Sequence, residues 1–130
     1  MTNNSTEFII QKSADRHNSK LDWLSTRYSF SFADYYDKER MNWGALRVFN
    51  DDVISACKGF DFHPHKDMEI VTYVLSGVLE HEDSMGNKGR IGAGGVQYMS
   101  AGTGVVHSEK NGSLNEDLHL VQMWVFPRKK

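Results

Sequence analysis

Gly59-Phe-Asp-Phe-His63-Pro-His65 opens a stretch of the chain that closes on Gly102-Thr-Gly-Val-Val-His107-Ser-Glu109. Each end carries two candidate metal ligands separated by one residue. Successive side chains of a β-strand point to opposite faces, so residues two apart share a face. His63 and His65 can therefore project together, and so can His107 and Glu109. Two such pairs on neighbouring strands make a pocket of three nitrogens and one oxygen. That donor set suits iron, nickel, copper or zinc, and suits calcium or magnesium poorly. One His-x-His alone is a weak signal. Two like-spaced pairs, the second in a Gly-rich turn, are a strong one.

Outward from this stretch the chain reads as short strands joined at Gly-rich corners. On its N-terminal side, Ala45–Phe49 reads as a strand, Asn50-Asp51-Asp52 as a turn and Val53–Cys57 as the returning strand, because short polar side chains cap turns. Within it, Glu69–Leu75 is a long β-prone run ended by Ser76-Gly77, and Val78–Glu82 returns from it. Met85–Gly89 and Gly92–Gly95 are turns, with Val96–Met99 between the second turn and the second ligand pair. On the C-terminal side Asn111-Gly112 turns the chain once more. Leu118–Phe126 is the last strand, stopped by Pro127. Both of its faces are apolar: Leu118, Leu120, Trp124 and Phe126 on one, Val121, Met123 and Val125 on the other. Close strand spacing without an amphipathic helix predicts an antiparallel sandwich or barrel. A barrel buries one face of the last strand and leaves the other to be covered.

The remaining segments carry less. Residues 1–6 are polar and expected to be disordered. Phe8-Ile9-Ile10 reads as a short first strand, and Ser13–Lys20 as a polar loop holding a solvated His17. Trp23–Phe32 is a strand or packed loop, and Asp34–Arg40 a loop or single helical turn. With 130 residues, 39% hydrophobic, the chain suffices for one domain with a real core. A net charge of -2 with no basic run before Arg128-Lys129-Lys130 gives no reason to expect nucleic-acid binding. The single cysteine, Cys57, excludes an internal disulfide and reads as a small buried strand residue. The first residues lack the basic and apolar regions of a signal peptide, and no apolar run approaches the roughly 18 residues of a membrane span. The expectation is a soluble, cytoplasmic protein with no membrane contact.

The paired histidine motifs in a small β-barrel resemble the cupins, whose double-sheet architecture is among the jelly rolls. Within the cupins the chain resembles the pirin family. The residues that carry the likeness are His63-Pro-His65-Lys-Asp-Met-Glu69, Thr72-Tyr-Val-Leu-Ser-Gly77, His81-Glu-Asp-Ser-Met-Gly-Asn87 and Ser100-Ala-Gly-Thr-Gly-Val-Val-His107-Ser-Glu109. It looks closest to bacterial pirin-like proteins assigned quercetin 2,3-dioxygenase activity, which share a stretch like Ala45-Leu-Arg-Val-Phe-Asn-Asp-Asp-Val53. The resemblance implies an all-β cupin (double-stranded β-helix) barrel over residues 7–130. It puts a mononuclear metal on His63, His65, His107 and Glu109. Iron(II) is the implied ion, with nickel, copper, cobalt, manganese and zinc as alternatives. The implied reaction is oxygen-dependent opening of a flavonol ring with release of carbon monoxide.

Glu109 is then expected to serve as ligand and as general base for the flavonol 3-hydroxyl. Glu69 is contested: strand parity places it on the face of His63 and His65, and many cupins use such a Glu as ligand, whereas the pirin pattern leaves it a supporting group. Glu69 or Glu82 could fix the tautomer of a ligating histidine. His81 and His119 read as structural histidines, and Met68, Met99 and Met123 as core filler. Some pirins resemble redox-dependent regulators that bind a protein partner, a rival use needing the same four ligands. The chain departs from the family in length, since pirins typically carry two barrels and this chain has room for one. It also has Gly94-Gly95 where Gly-Asp is usual. A homodimer through Val121, Met123 and Val125 is the expectation for the uncovered face.

Overall fold

Period-two alternation decides what each strand buries, and the third strand shows it most clearly. The computed structural model describes residues 8–129. In it β3 (Leu46–Ile54) buries Val48, Asn50, Asp52 and Ile54, while Phe49, Asp51 and Val53 face outward. The expected hairpin at Asn50–Asp52 does not form. β3 runs straight through these residues, with β2 (Leu24–Tyr28) hydrogen-bonded on one side and β10 (Leu118–Val125) on the other. Backbone pairing on both edges overrides the turn preference of Asn and Asp. Outside, Asp51 faces His119 at 2.6 Å and Arg16 at 3.7 Å.

The remaining strands are β1 (His17–Leu21), β4 (Gly59–His65), β5 (Glu69–Ser76), β6 (Val78–Asp83), β7 (Lys88–Gly92), β8 (Val96–Ser100) and β9 (Val105–Asn111). One sheet has the order β1-β2-β3-β10-β5-β8 and the other β4-β9-β6-β7, all pairs antiparallel. This is the expected all-β, two-sheet barrel. The sheets close on an apolar cluster of Leu24, Ile54, Val74, Leu79, Leu118 and Leu120, flanked by Trp23, Phe60 and Ile91. Along β10 the inward residues then change from Leu118 and Leu120 to Gln122 and Trp124. One part of the interior is therefore packed and the next is hollow.

Several local expectations are corrected. Phe8-Ile9-Ile10 is not a strand, and its side chains are exposed. His17 begins β1, where its ring stacks on Tyr35 at 4.1 Å. Asp34–Arg40 is loop. Cys57 is exposed, at a turn with φ 64°, because the chain leaves β3 at Ile54. The expected disorder of residues 1–6 lies outside the described residues. Met68 and Met99 are half-buried, and Met123 is on the outer face. There Val121, Met123 and Val125 are half-buried beside the more exposed Tyr73, Leu75, Val96 and Tyr98. Among the described residues no helix is long and apolar enough to cross a membrane.

Gly59 brings β4 hard against β9. A Cβ there would lie 2.4 Å from the Lys110 Cα and 2.5 Å from the Glu109 carbonyl oxygen. These are backbone atoms, so one strand must move. Gly59→Ala should lower stability by about 1–3 kcal/mol, as overpacking does, seen as a reduced Tm in thermal denaturation. Gly89→Ala, with nothing within 4 Å of its Cβ, should shift stability by less than about 0.5 kcal/mol.

Candidate metal centre

β4 and β9 pair so that His63 lies directly opposite His107. The register slips between Phe60 and His63, a bulge that turns Phe62 outward and His63 and His65 inward. Pro64, between them, faces solvent. The ring centroids of His63, His65 and His107 are 4.5–4.9 Å apart. One nitrogen from each ring lies within 4.8 Å of the others. His65 also packs edge-on against Trp124, with centroids 4.8 Å apart.

The hydrogen bonds leave the inward nitrogens free. His63 Nδ1 lies 2.6 Å from the Asp61 carbonyl oxygen. A carbonyl only accepts, so Nδ1 carries the proton and Nε2 keeps its lone pair. His107 Nδ1 is 3.0 Å from His81 Nε2. The Nε2 atoms of His65 and His107 are buried with no partner among the described residues. Burial, reinforced by the neighbouring histidines, holds His65 at a pKa of about 4 and His107 at about 3. Both rings are neutral at pH 7, the form a metal needs. Three converging imidazoles, two of them neutral with unpartnered Nε2 atoms, are a donor set that a divalent transition metal fits.

Glu109 shares the inward face of β9 with His107 and is buried. It lies outside the group of three. Its carboxylate instead accepts from Gln122 Nε2, at 3.1 and 3.0 Å. Burial pushes its pKa up to about 7, opposed by the bond from Gln122. Glu69 does not approach the histidines. Asp67, at φ 52°, breaks strand parity between β4 and β5, and Glu69 faces outward, where Tyr98 and Ser100 donate to it. Glu82 faces Lys88 at 3.7 Å, so neither glutamate fixes a histidine tautomer. His81 touches that shell instead, and His119 is bound to Asp51 on the outer face.

His63, His65 and Glu109 open onto a cavity of about 190 Å³ between the sheets. Leu24, Tyr28, Phe32, Phe60 and Trp124 wall it, with Thr26, Asn50, Asp52 and Gln122 as its other polar lining. Sequence reasoning missed these polar groups. Asn50 and Asp52 read as turn residues. Gln122 left a signal: it is the polar interruption in the inward row Leu118, Leu120, Trp124.

Residues 10–125 match the sequence pattern of the family described as Pirin. The chain belongs to the pirin family. The pirin domain is 55% identical over 120 residues to a quercetin 2,3-dioxygenase of Escherichia coli strain K12, covering 92% of this chain and 52% of that relative. It thus spans about half the length of the curated relatives it matches. The crystal structure of the bacterial pirin YhhW from Escherichia coli in complex with nickel(II) has a TM-score of 0.89 at 55% identity, over 92% of this chain and 52% of that one. The cupin domain of Schizosaccharomyces pombe Cnp3 has a TM-score of 0.66 at 13% identity, over 92% of this chain and 74% of that one. The pirin domain is a cupin barrel.

Asp52 gives a pH test of the cavity. Burial pushes its pKa up to about 6, with the Thr26 hydroxyl opposing and Glu109 adding to the rise. The folded state therefore binds more protons than the unfolded chain between about pH 4 and 6, and this group's contribution to stability is lost as pH rises through 6. Asp52→Asn removes that loss. In the metal-free domain the variant's stability relative to wild type should rise across this window by on the order of 2 kcal/mol. Urea denaturation at several pH values measures it, and a constant difference would contradict the buried carboxyl.

Proposed function

We propose that this pirin domain holds one divalent transition metal on His63, His65 and His107, with Glu109 as fourth ligand, and opens the central ring of a flavonol with dioxygen. The ion we assign is iron(II). The observation that carries the reading is the convergence of three imidazoles, with the buried Nε2 atoms of His65 and His107 left without partners among the described residues. The nickel(II) complex of YhhW and the quercetin 2,3-dioxygenase name of a relative support it.

When bound, such an ion supplies Lewis acidity that lowers the pKa of a coordinated hydroxyl. The chain's own residues do the rest. Asp61 fixes the His63 tautomer through its carbonyl, and His81 orients the His107 ring. Gln122 steadies Glu109 through both carboxylate oxygens. Glu109, buried on the same face of β9 as His107, receives the proton of the flavonol 3-hydroxyl as general base. The aromatic wall of Tyr28, Phe32, Phe60 and Trp124 suits a flat aromatic substrate and excludes water.

After reconstitution with iron(II) or nickel(II), His63→Ala and His107→Ala should lose nearly all bound metal by elemental analysis. His119→Ala should keep it. Equal loss in all three, or in none, would overturn the ligand assignment.

Catalysis is read separately, as oxygen consumption and carbon monoxide release with quercetin. Glu109→Gln keeps an oxygen donor and removes the base, so turnover should fall by about 10²–10⁴-fold. A metal-loaded wild type that consumes no oxygen with quercetin would reject the dioxygenase reading. It would leave a metal-binding protein acting by other means.

A further inference from the structure

The cavity has two sides. The histidines and Glu109 come from β4 and β9 of the four-stranded sheet. Thr26, Asn50 and Asp52 come from β2 and β3 of the other sheet and face them across the hollow. A barrel interior needs no polar groups for packing, and buried polar atoms without partners are rare and costly.

The groups on this far side differ in one respect. Asp52 already accepts a hydrogen bond from Thr26 Oγ1. Gln122, opposite Asn50 across β3 and β10, is engaged with Thr72, Glu109 and Trp124. Asn50 is 3% exposed, and its Oδ1 has no partner among the described residues. An unfilled carbonyl acceptor in a hollow calls for an O–H or N–H donor from whatever occupies it.

The hollow also limits what enters. About 190 Å³ is below the roughly 300–1,000 Å³ of pockets that enclose a drug-sized ligand. It admits part of a polycyclic substrate, not the whole. In a flavonol the pendant ring hangs from the carbon next to the one bearing the 3-hydroxyl. With that hydroxyl at the histidines, the pendant ring lies beside it, and a single ring suits a hollow of this size.

We infer that Asn50 is a specificity-determining residue: its side-chain carbonyl accepts a phenolic hydroxyl on the pendant ring of the substrate. The assignment rests on the flavonol reading of the same cavity. It deepens that reading by selecting flavonols hydroxylated on the pendant ring over those that are not. The selection is thermodynamic, since a hydroxylated ring gives the buried Asn50 carbonyl the donor it lacks and a bare ring leaves it unpaired.

Quercetin and galangin, which differ only in the pendant-ring hydroxyls, are the probes. The metal-loaded wild type should favour quercetin in kcat/KM by about 10–100-fold, the scale of one buried acceptor left unpaired. Asn50→Leu, close in shape, should abolish that preference. Asn50→Ala reads the same ratio should the leucine variant fail to fold. No preference in wild type, or an equal preference in both variants, overturns the proposal. If wild type turns over neither flavonol, the dioxygenase reading has failed and binding decides this one. Fluorescence titration of the metal-free domain should still give the wild type a tighter Kd for quercetin than for galangin. The Asn50 variants should bring the two together, and equal affinities in wild type would overturn the assignment.

Discussion

Three imidazoles held within one another's reach, two of them kept without charge by burial, are the constraint on which the rest of the structure turns. Protonating any of them would set a cation beside two others in a site poor in water, which is why burial and mutual repulsion depress His65 and His107 together. Neutrality brings a different cost. Each ring then presents a lone pair, and the buried Nε2 atoms of His65 and His107 have no donor to satisfy them. Such an arrangement persists only where the backbone leaves the side chains no alternative. β4 and β9 supply that compulsion: His63 sits opposite His107 in the ladder, Trp124 blocks one side of His65, and Asp61 and His81 hold the outer nitrogens.

The barrel supports this by dividing its interior. β2, β3 and β10 each contribute to both parts. Leu24, Ile54, Leu118 and Leu120 close the sheets with apolar contact. Further along the same strands Thr26, Asn50, Asp52 and Gln122 line a hollow. A continuous apolar interior would fold more firmly. It would offer no place for a substrate and no acceptor for its hydroxyls. Strand geometry makes the division possible at low cost, because a change of residue type every second position alters the interior without altering the ladder.

Much of this was legible in the sequence. The His63/His65 and His107/Glu109 spacing needed only period-two alternation to become a shared face, and the Gly-rich corners marked most strand ends from Gly59 onward, though Met85–Gly89 and Gly92–Gly95, read as turns, hid β7 between them. Two kinds of information were not legible. Side-chain direction across a break in the chain was one: parity carried Glu69 to the histidines on paper, but Asp67 in a left-handed conformation reset the count. The other was tertiary override at Asn50-Asp51-Asp52. Their local preference is for a turn, and only strands on both sides, remote in sequence, keep them extended. A sequence whose local preference conflicts with its fold marks a place where something other than folding has been selected. Here the conflict falls on the far side of the cavity.

The chain spans about half the length of the curated relatives it matches, and among the described residues those that line the cavity run from Leu24 to Trp124. Candidate metal donors, candidate base and polar floor sit together in this barrel. The apolar surface formed by Tyr73, Leu75, Val96 and Tyr98 is on the opposite side of β5 and β8 from the interior. On the inner side β5 pairs with β10, where Gln122 reaches both Thr72 and Glu109. Gln122 is therefore one point at which β5 and β10 are joined to the carboxylate of Glu109. A displacement of β5 against β10 would reach the Glu109 carboxylate through Gln122 and the His65 ring through Trp124.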